Sequence, residues 1–220
     1  MATPAEHRRD LAELEGIAAN DLRILISQAG TADEVRDALR DVLPRLVPYY
    51  GSAAAALAAD WYDEFRDDLG AGGRFRAIPA TYVADPGRTD SLARWAVAPM
   101  YQAEPDKATT LAKVAGGVQR LIADADRETV IGSIRQDPRA GGWSRHTSGK
   151  SCRFCQDIAA RGAVYSAETA DFASHDGCDC AAVPAFGVVR DVKDYTPSQR
   201  FRSPEARAAH NARTRAWLAD

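Results

Sequence analysis

The chain is 220 residues long, 45% hydrophobic and 27% charged, a globular composition that suits one large domain or two small ones. Twenty-eight Lys and Arg against 31 Asp and Glu give a net charge of −3, which excludes a polybasic nucleic-acid coat and leaves phosphate contacts only as local patches. No run approaches the ~20 apolar residues that span a bilayer, and residues 1–10 carry no apolar signal core, so a cytosolic origin without membrane association is expected.

Up to residue 137 the pattern is helical. Leu11, Leu14, Ala18, Leu22, Leu25 and Ala29 recur at spacings of three and four and share one helix face, which Gly30 ends. Thr31 and Glu34 form a capping box for a second helix bearing Val35, Leu39, Val42 and Leu46; Pro44 and Pro48 predict that it is short or kinked. A third helix carries Leu57, Trp61, Phe65 and Leu69 and stops at Gly70. The alanines of 53–59 offer a small-residue surface, either for a partner helix or for the body's own core. Residues 74–83 have extended character. Leu92, Trp95 and Met100 suggest a short helix interrupted by Pro99, and Asp106 can cap a long one that runs to Ile134.

Pro138, Gly141 and Gly142 break the helical pattern, and a segment rich in Gly, Ser and Cys follows, with short strand candidates at Val164-Tyr165 and 181–183. A polar helix is expected over about 203–218. From Arg190 onward seven basic residues face four acidic ones, a local +3. The expected fold is mainly α: a helical body (1–137), a small α+β module (138–190) and a polar C-terminal helix within 191–220.

All four cysteines fall in the module, in two tight pairs. The pattern is Cys152-x2-Cys155, nineteen residues, then His175-x2-Cys178-x-Cys180. Disulfides that staple a secreted protein tie distant loops together; two clustered pairs in a cytosolic chain point to metal. Zn2+ takes four such donors in a tetrahedron, and five are present. If Cys178 and Cys180 lie on a strand their side chains share a face, which favours a four-cysteine set with His175 beside it. If Asp176-Gly177 forms a turn, His175 can replace one cysteine. A redox dithiol is disfavoured, because no βαβ pattern surrounds the first pair and the second would be left unexplained.

No catalytic constellation is legible. A zinc deaminase needs His-x-Glu before its cysteine pair, and His146 is followed by Thr147-Ser148. A zinc peptidase needs His-Glu-x-x-His, which does not occur. Gly149-Lys150-Ser151 lacks the earlier glycine of a phosphate loop, with Ser144 in its place, and reads as a turn. A cluster of soft donors is expected to be a closed, structural site. His7, His146 and His210 read as exposed polar residues, Trp61 and Trp95 as core anchors, and Trp143 as a packing lid over the module. Asp63-Glu64 and Asp67-Asp68 read as a solvated helix face.

The module resembles the phage Mu F-like family of minor head proteins, particularly those of actinobacterial phages. Gly149 to Cys155, Arg161 to Tyr165, His175 with Cys178-Asp179-Cys180, and Val183-Pro184 with Phe186 carry the resemblance over about residues 143–186. Two positions depart from the family pattern, Asp176 where proline often follows the histidine and Asp179 where arginine often separates the last cysteines; neither removes a ligand. The resemblance implies a non-enzymatic protein of head morphogenesis, found in the virion and in the host cytoplasm during assembly. Its implied partners are the portal protein and the major capsid protein, and no small-molecule substrate is expected. The alternative is a zinc-containing nucleic-acid-binding or nuclease-like module. Against DNA, Lys150, Arg153 and Arg161 are outnumbered between 150 and 186 by Asp157, Glu168, Asp171, Asp176 and Asp179.

Overall fold

The computed structural model describes residues 1–81, 83, 85–147, 151–165, 172, 175–178, 180–187, 205, 208, 209 and 212. The elements are α1 (Pro4–Gln28), α2 (Ala32–Asp68), α3 (Pro86–Val97) continued by a 3-10 turn (Ala98–Tyr101), α4 (Lys107–Gln136), β1 (Ala140–His146), α5 (Arg153–Ala159) and β2 (Ala181–Phe186). The protein is mainly α with a small α+β part toward the C-terminus. Most of the expected tail helix lies outside the described residues; Glu205, Ala208, Ala209 and Ala212 are helical.

Helix starts follow the local chemistry. Thr3 with Glu6 and Thr31 with Glu34 make full capping boxes on α1 and α2. The Asp106 carboxylate accepts from the Thr109 amide at 2.9 Å to start α4. α1 buries the stripe Leu11, Ala18, Leu22 and Ile26 against α2 and α4.

The second and third expected helices are one. α2 runs unbroken for 37 residues through Pro44 and Pro48. Each internal proline costs ~3 kcal/mol, but Pro44 is exposed and Pro48 half-buried, so their rings do not crowd the core. The opposite stripe, Val35, Leu39, Leu43 and Val47, is fully buried, and each such side chain contributes ~1.5–3 kcal/mol by leaving water. Packing therefore outweighs propensity. Ala54, Ala55, Ala58 and Ala59 are buried as well and pack the body's own core, while Ala53 and Ala56 of the same run are exposed.

α3 crosses α4 closely. A Cβ built on Gly117 would lie 2.4 Å from Leu92 Cδ1, so any side chain there would force Leu92 to move. Trp95, expected in the core, is 48% exposed and carries the Lys113 ammonium 4.1 Å from its ring centroid. Residues 74–81 belong to no helix or strand. Their amides are met by side chains instead: Ala77 N–H donates to Asp63 Oδ1 and Ala80 N–H to Thr129 Oγ1, both at 3.0 Å.

The glycines expected to mark only a boundary open a strand. β1 pairs antiparallel with β2, with Trp143 opposite Pro184 and Ser144 opposite Val183, and a register irregularity between Ala140 and Gly142. The expected strand at 164–165 is a single bridge between Tyr165 and Trp143. Trp143, 1% exposed, packs on Tyr165 and Phe172 with ring centroids at 4.7 and 5.3 Å, consistent with a packing lid. Trp143, Ala182 and Val183 share one core with Ala58, Trp61 and Tyr62 of α2 and Val130, Ile131 and Ile134 of α4. At the same junction Arg66 of α2 meets Asp137 at the end of α4, Nε to Oδ2 2.7 Å, with both side chains buried. Tyr62 Oη donates to the same carboxylate at 3.2 Å, and Arg66 also donates to the Gly72 carbonyl.

Candidate metal centre

The two cysteine pairs arrive from separate elements. Cys152 is the N-cap of α5 and Cys155 stands in its first turn, a short helix that the spacing did not announce. A helical turn brings residues three apart to one side, so both sulfurs face the same point. The second cluster is shaped by a turn. The Cys178 amide donates to the His175 carbonyl at 3.0 Å, and Gly177 sits at φ +74°, a conformation that favours glycine. The Gly177 amide then donates to the Gly116 carbonyl of α4 at 3.2 Å, and Asp176 meets Arg120 at 3.0 Å, which seats the turn on the helical body. β2 begins only at Ala181, so the turn forms as one alternative required, and neither Cys178 nor Cys180 lies within that strand.

All five predicted donors come together. Cys152, Cys155 and His175 form one triple, and Cys155, Cys178 and Cys180 another, with the ligand atoms of each triple within 4.8 Å of one another. Cys155 is common to both. Cys155, Cys178 and Cys180 are 1%, 3% and 1% exposed; Cys152 is partly buried and His175 lies at the rim. Mutual distance singles out no set of four.

The donor chemistry fits a metal ion. Cys155 Sγ and Cys178 Sγ are 3.7 Å apart and all four cysteines are free. With Zn–S near 2.3 Å, tetrahedral ligands stand roughly 3.8 Å apart, whereas a disulfide needs about 2.05 Å. His175 Nε2 lies 3.2 Å from Cys152 Sγ, and its Nδ1 is 2.9 Å from the Asp176 carbonyl. A backbone carbonyl only accepts, so Nδ1 carries a proton, and Nε2 is the ring nitrogen that faces the cluster and would bind a metal.

The donors also act strongly on one another's protonation. Cys178 is held far below an ordinary thiol by hydrogen bonds from Cys155 and then Cys180, with the Cys180 amide also donating to it. Cys155 is pushed far up, first by Cys178 and then by Cys180. Burial pushes the Cys152 thiol up, but bonds from His175 and from the Cys155 amide and thiol prevail and lower it. Burial alone would lower His175, yet the Asp176 carbonyl and Cys152 raise it. Sulfurs this close cannot all be anionic without a cation among them. The cluster is a buried cysteine–histidine site of structural zinc type.

Two arginines that the sequence did not flag complete the surroundings. Arg127, 2% exposed on α4, donates Nε and Nη2 to the Cys180 carbonyl at 3.0 and 2.8 Å and Nη2 to the Cys178 carbonyl at 3.1 Å. Its Nη1 meets Asp124 at 3.0 Å. Arg145 of β1, 4% exposed, places Nη1 3.7 Å from Cys155 Sγ. Both guanidinium carbons lie over Phe172, at 4.6 and 3.8 Å from its centroid. The available signal was a charge within the apolar stripe of α4, since Arg127 follows Ala123 by four residues and precedes Val130 by three.

His7, expected at the surface, is buried. Its Nε2 lies 2.6 Å from Asp126 Oδ1, with neither side chain exposed, and its ring stacks on Trp61 at 4.3 Å. Asp126 is the neighbour of Arg127, so adjacent residues of α4 hold the first turn of α1 and the metal cluster. His146 is half-buried at the end of β1, and His210 and the expected turn residues 149–150 lie outside the described residues. Among the described residues no helix is long and apolar enough to cross a membrane.

No curated protein and no solved structure matches the chain. A family model described as VG15 protein matches residues 2–203, nearly the whole length, and the chain belongs to the VG15 protein family.

Proposed function

We propose that this chain is a minor head protein of a tailed bacteriophage, of the Mu F-like type, and that it acts as a structural component in head assembly beside the portal or capsid. The observation that carries the reading is the gathering of the five donors of the C-x2-C and H-x2-C-x-C pattern into two triples that share the buried Cys155. That is the motif on which the resemblance rests, and it is assembled against a body of long helices. Membership of a viral-gene family supports the same direction. In this reading the metal staples a segment whose own apolar surface is too small to hold it, and the chain carries out no reaction. Its location is the virion, with the host cytoplasm as the place of assembly.

The test is co-expression with the portal and major capsid proteins of the same genome, followed by co-purification and crosslinking. Crosslinks from the helical body to the portal are the expected result. No association at assembly concentrations would remove the reading. DNA affinity that falls steeply with salt would favour the nucleic-acid alternative instead.

A further inference from the structure

We propose that Arg127 is a positioning residue for the metal centre: a side chain of the helical body that sets the Cys178-x-Cys180 ligands in place for the ion. The inference rests on the reading of the cysteine cluster as a metal site and goes beyond it, because it puts part of the control of metal affinity outside the cysteine-bearing segment.

The guanidinium is a planar fork with five donors. Here one edge is spent on the two carbonyls that belong to the ligand residues themselves, Cys178 and Cys180. The orientation of the fork is held from two sides, by Asp124 at Nη1 and by the Phe172 ring at 4.6 Å. Fixing those carbonyls fixes the peptide planes that follow Cys178 and Cys180, and the Cys180 amide supports the Cys178 thiolate. A loop of this kind has no regular ladder to hold it, since β2 starts one residue later. The positive charge also lies beside a group of thiolates and opposes their mutual repulsion.

A lysine at this position would keep the charge and lose the fork, because an ammonium cannot address two carbonyls in one plane. Partners that orient metal ligands typically change affinity by about 10- to 100-fold when replaced. Arg66 provides the control. It is as buried as Arg127 and sits in the same helical body, but it grips Asp137 and the Gly72 carbonyl, not the ligands.

The experiment compares the full-length wild type with R127K, R127M and R66K, each checked for helix content by circular dichroism. Zinc affinity is read by competition with a chromogenic chelator, and ligand geometry by the visible absorption of the cobalt(II) form. The expected result is weaker zinc binding by about 10- to 100-fold in R127K and more in R127M, with broadened cobalt bands, while R66K melts lower but binds zinc as the wild type does. R127K carries the test if R127M does not fold. Wild-type affinity and an unchanged cobalt spectrum in folded R127K would overturn the inference, as would an equal loss in R66K. Failure of the wild type to take up zinc or cobalt at all would overturn the metal reading beneath it, a different outcome.

Discussion

Replacing Arg66 by methionine tests how the helical body is joined to the strands behind the metal centre. The side chain is 3% exposed and its partner Asp137 is fully buried. Without the guanidinium, the Asp137 carboxylate keeps, among the described residues, the Tyr62 hydroxyl at 3.2 Å and the Arg139 amide at 3.0 Å. The carbonyl of Gly72 also loses its donor. Removing one member of a buried pair typically costs about 3–5 kcal/mol, because the other charge stays behind in a poor solvent. At about 2–4 °C per kcal/mol for a chain of this size, the thermal midpoint of R66M should fall by about 6–20 °C. The double variant R66M/D137N removes the stranded charge and should regain a large part of that loss. The pH dependence has a defined sign. Burial works to raise the Asp137 carboxyl, but hydrogen bonds from Arg66 and the Arg139 amide outweigh it, and the folded value lies below the ordinary one. The contribution is therefore complete above about pH 4, where the unfolded carboxyl is ionised, and is lost as pH falls through the lower folded value. Thermal melts by circular dichroism between pH 3 and 7 measure all of this. A midpoint shift below about 2 °C for R66M, or a double variant no more stable than the single one, would refute the reasoning.

Further expectations follow from other parts of the molecule. The purified protein should carry one zinc per chain by elemental analysis, and C155A, which removes the donor common to both triples, should drop the content toward zero; an unchanged content in C155A would show that the metal sits elsewhere. Because Trp143 and Val183 share a core with α2 and α4, chelation should lower the melting transition of the helices as well as that of the module, and a helical transition indifferent to chelator would contradict this. G117A should destabilise by about 1–3 kcal/mol through overpacking, since the new methyl meets Leu92, and L92A should relieve part of that cost in a double-variant cycle; additive losses would refute the contact. Replacing His7 by leucine leaves the buried Asp126 carboxyl without its imidazole neighbour, so H7L should cost about 1–3 kcal/mol, and hydrogen exchange should show the first turn of α1 opening before the rest.

What the sequence by itself determined is local in its physics. The capping boxes at Thr3 and Thr31 and the Asp106 cap act within one helical turn, and so do the i, i+3 and i+4 stripes that name the buried face of each helix. The metal donors were legible for the same reason, since soft ligands at C-x2-C and H-x2-C-x-C spacing announce their chemistry without any knowledge of the fold. Tertiary structure decided the rest, because the relevant energies come from residues far apart in the chain. Pro44 and Pro48 are helix breakers by propensity, yet the buried stripe opposite them keeps α2 continuous. Gly141 and Gly142 interrupt a helix pattern, but the partner that makes their segment a strand lies some forty residues away in β2. The placement of His7, Arg127 and Arg66 follows from burial against other helices, where a charge in an apolar stripe acquires a partner that no spacing rule could supply. The seating of His175 beside Cys152 depends on a turn docked at Gly116, a contact formed only when α4 and the module are folded together.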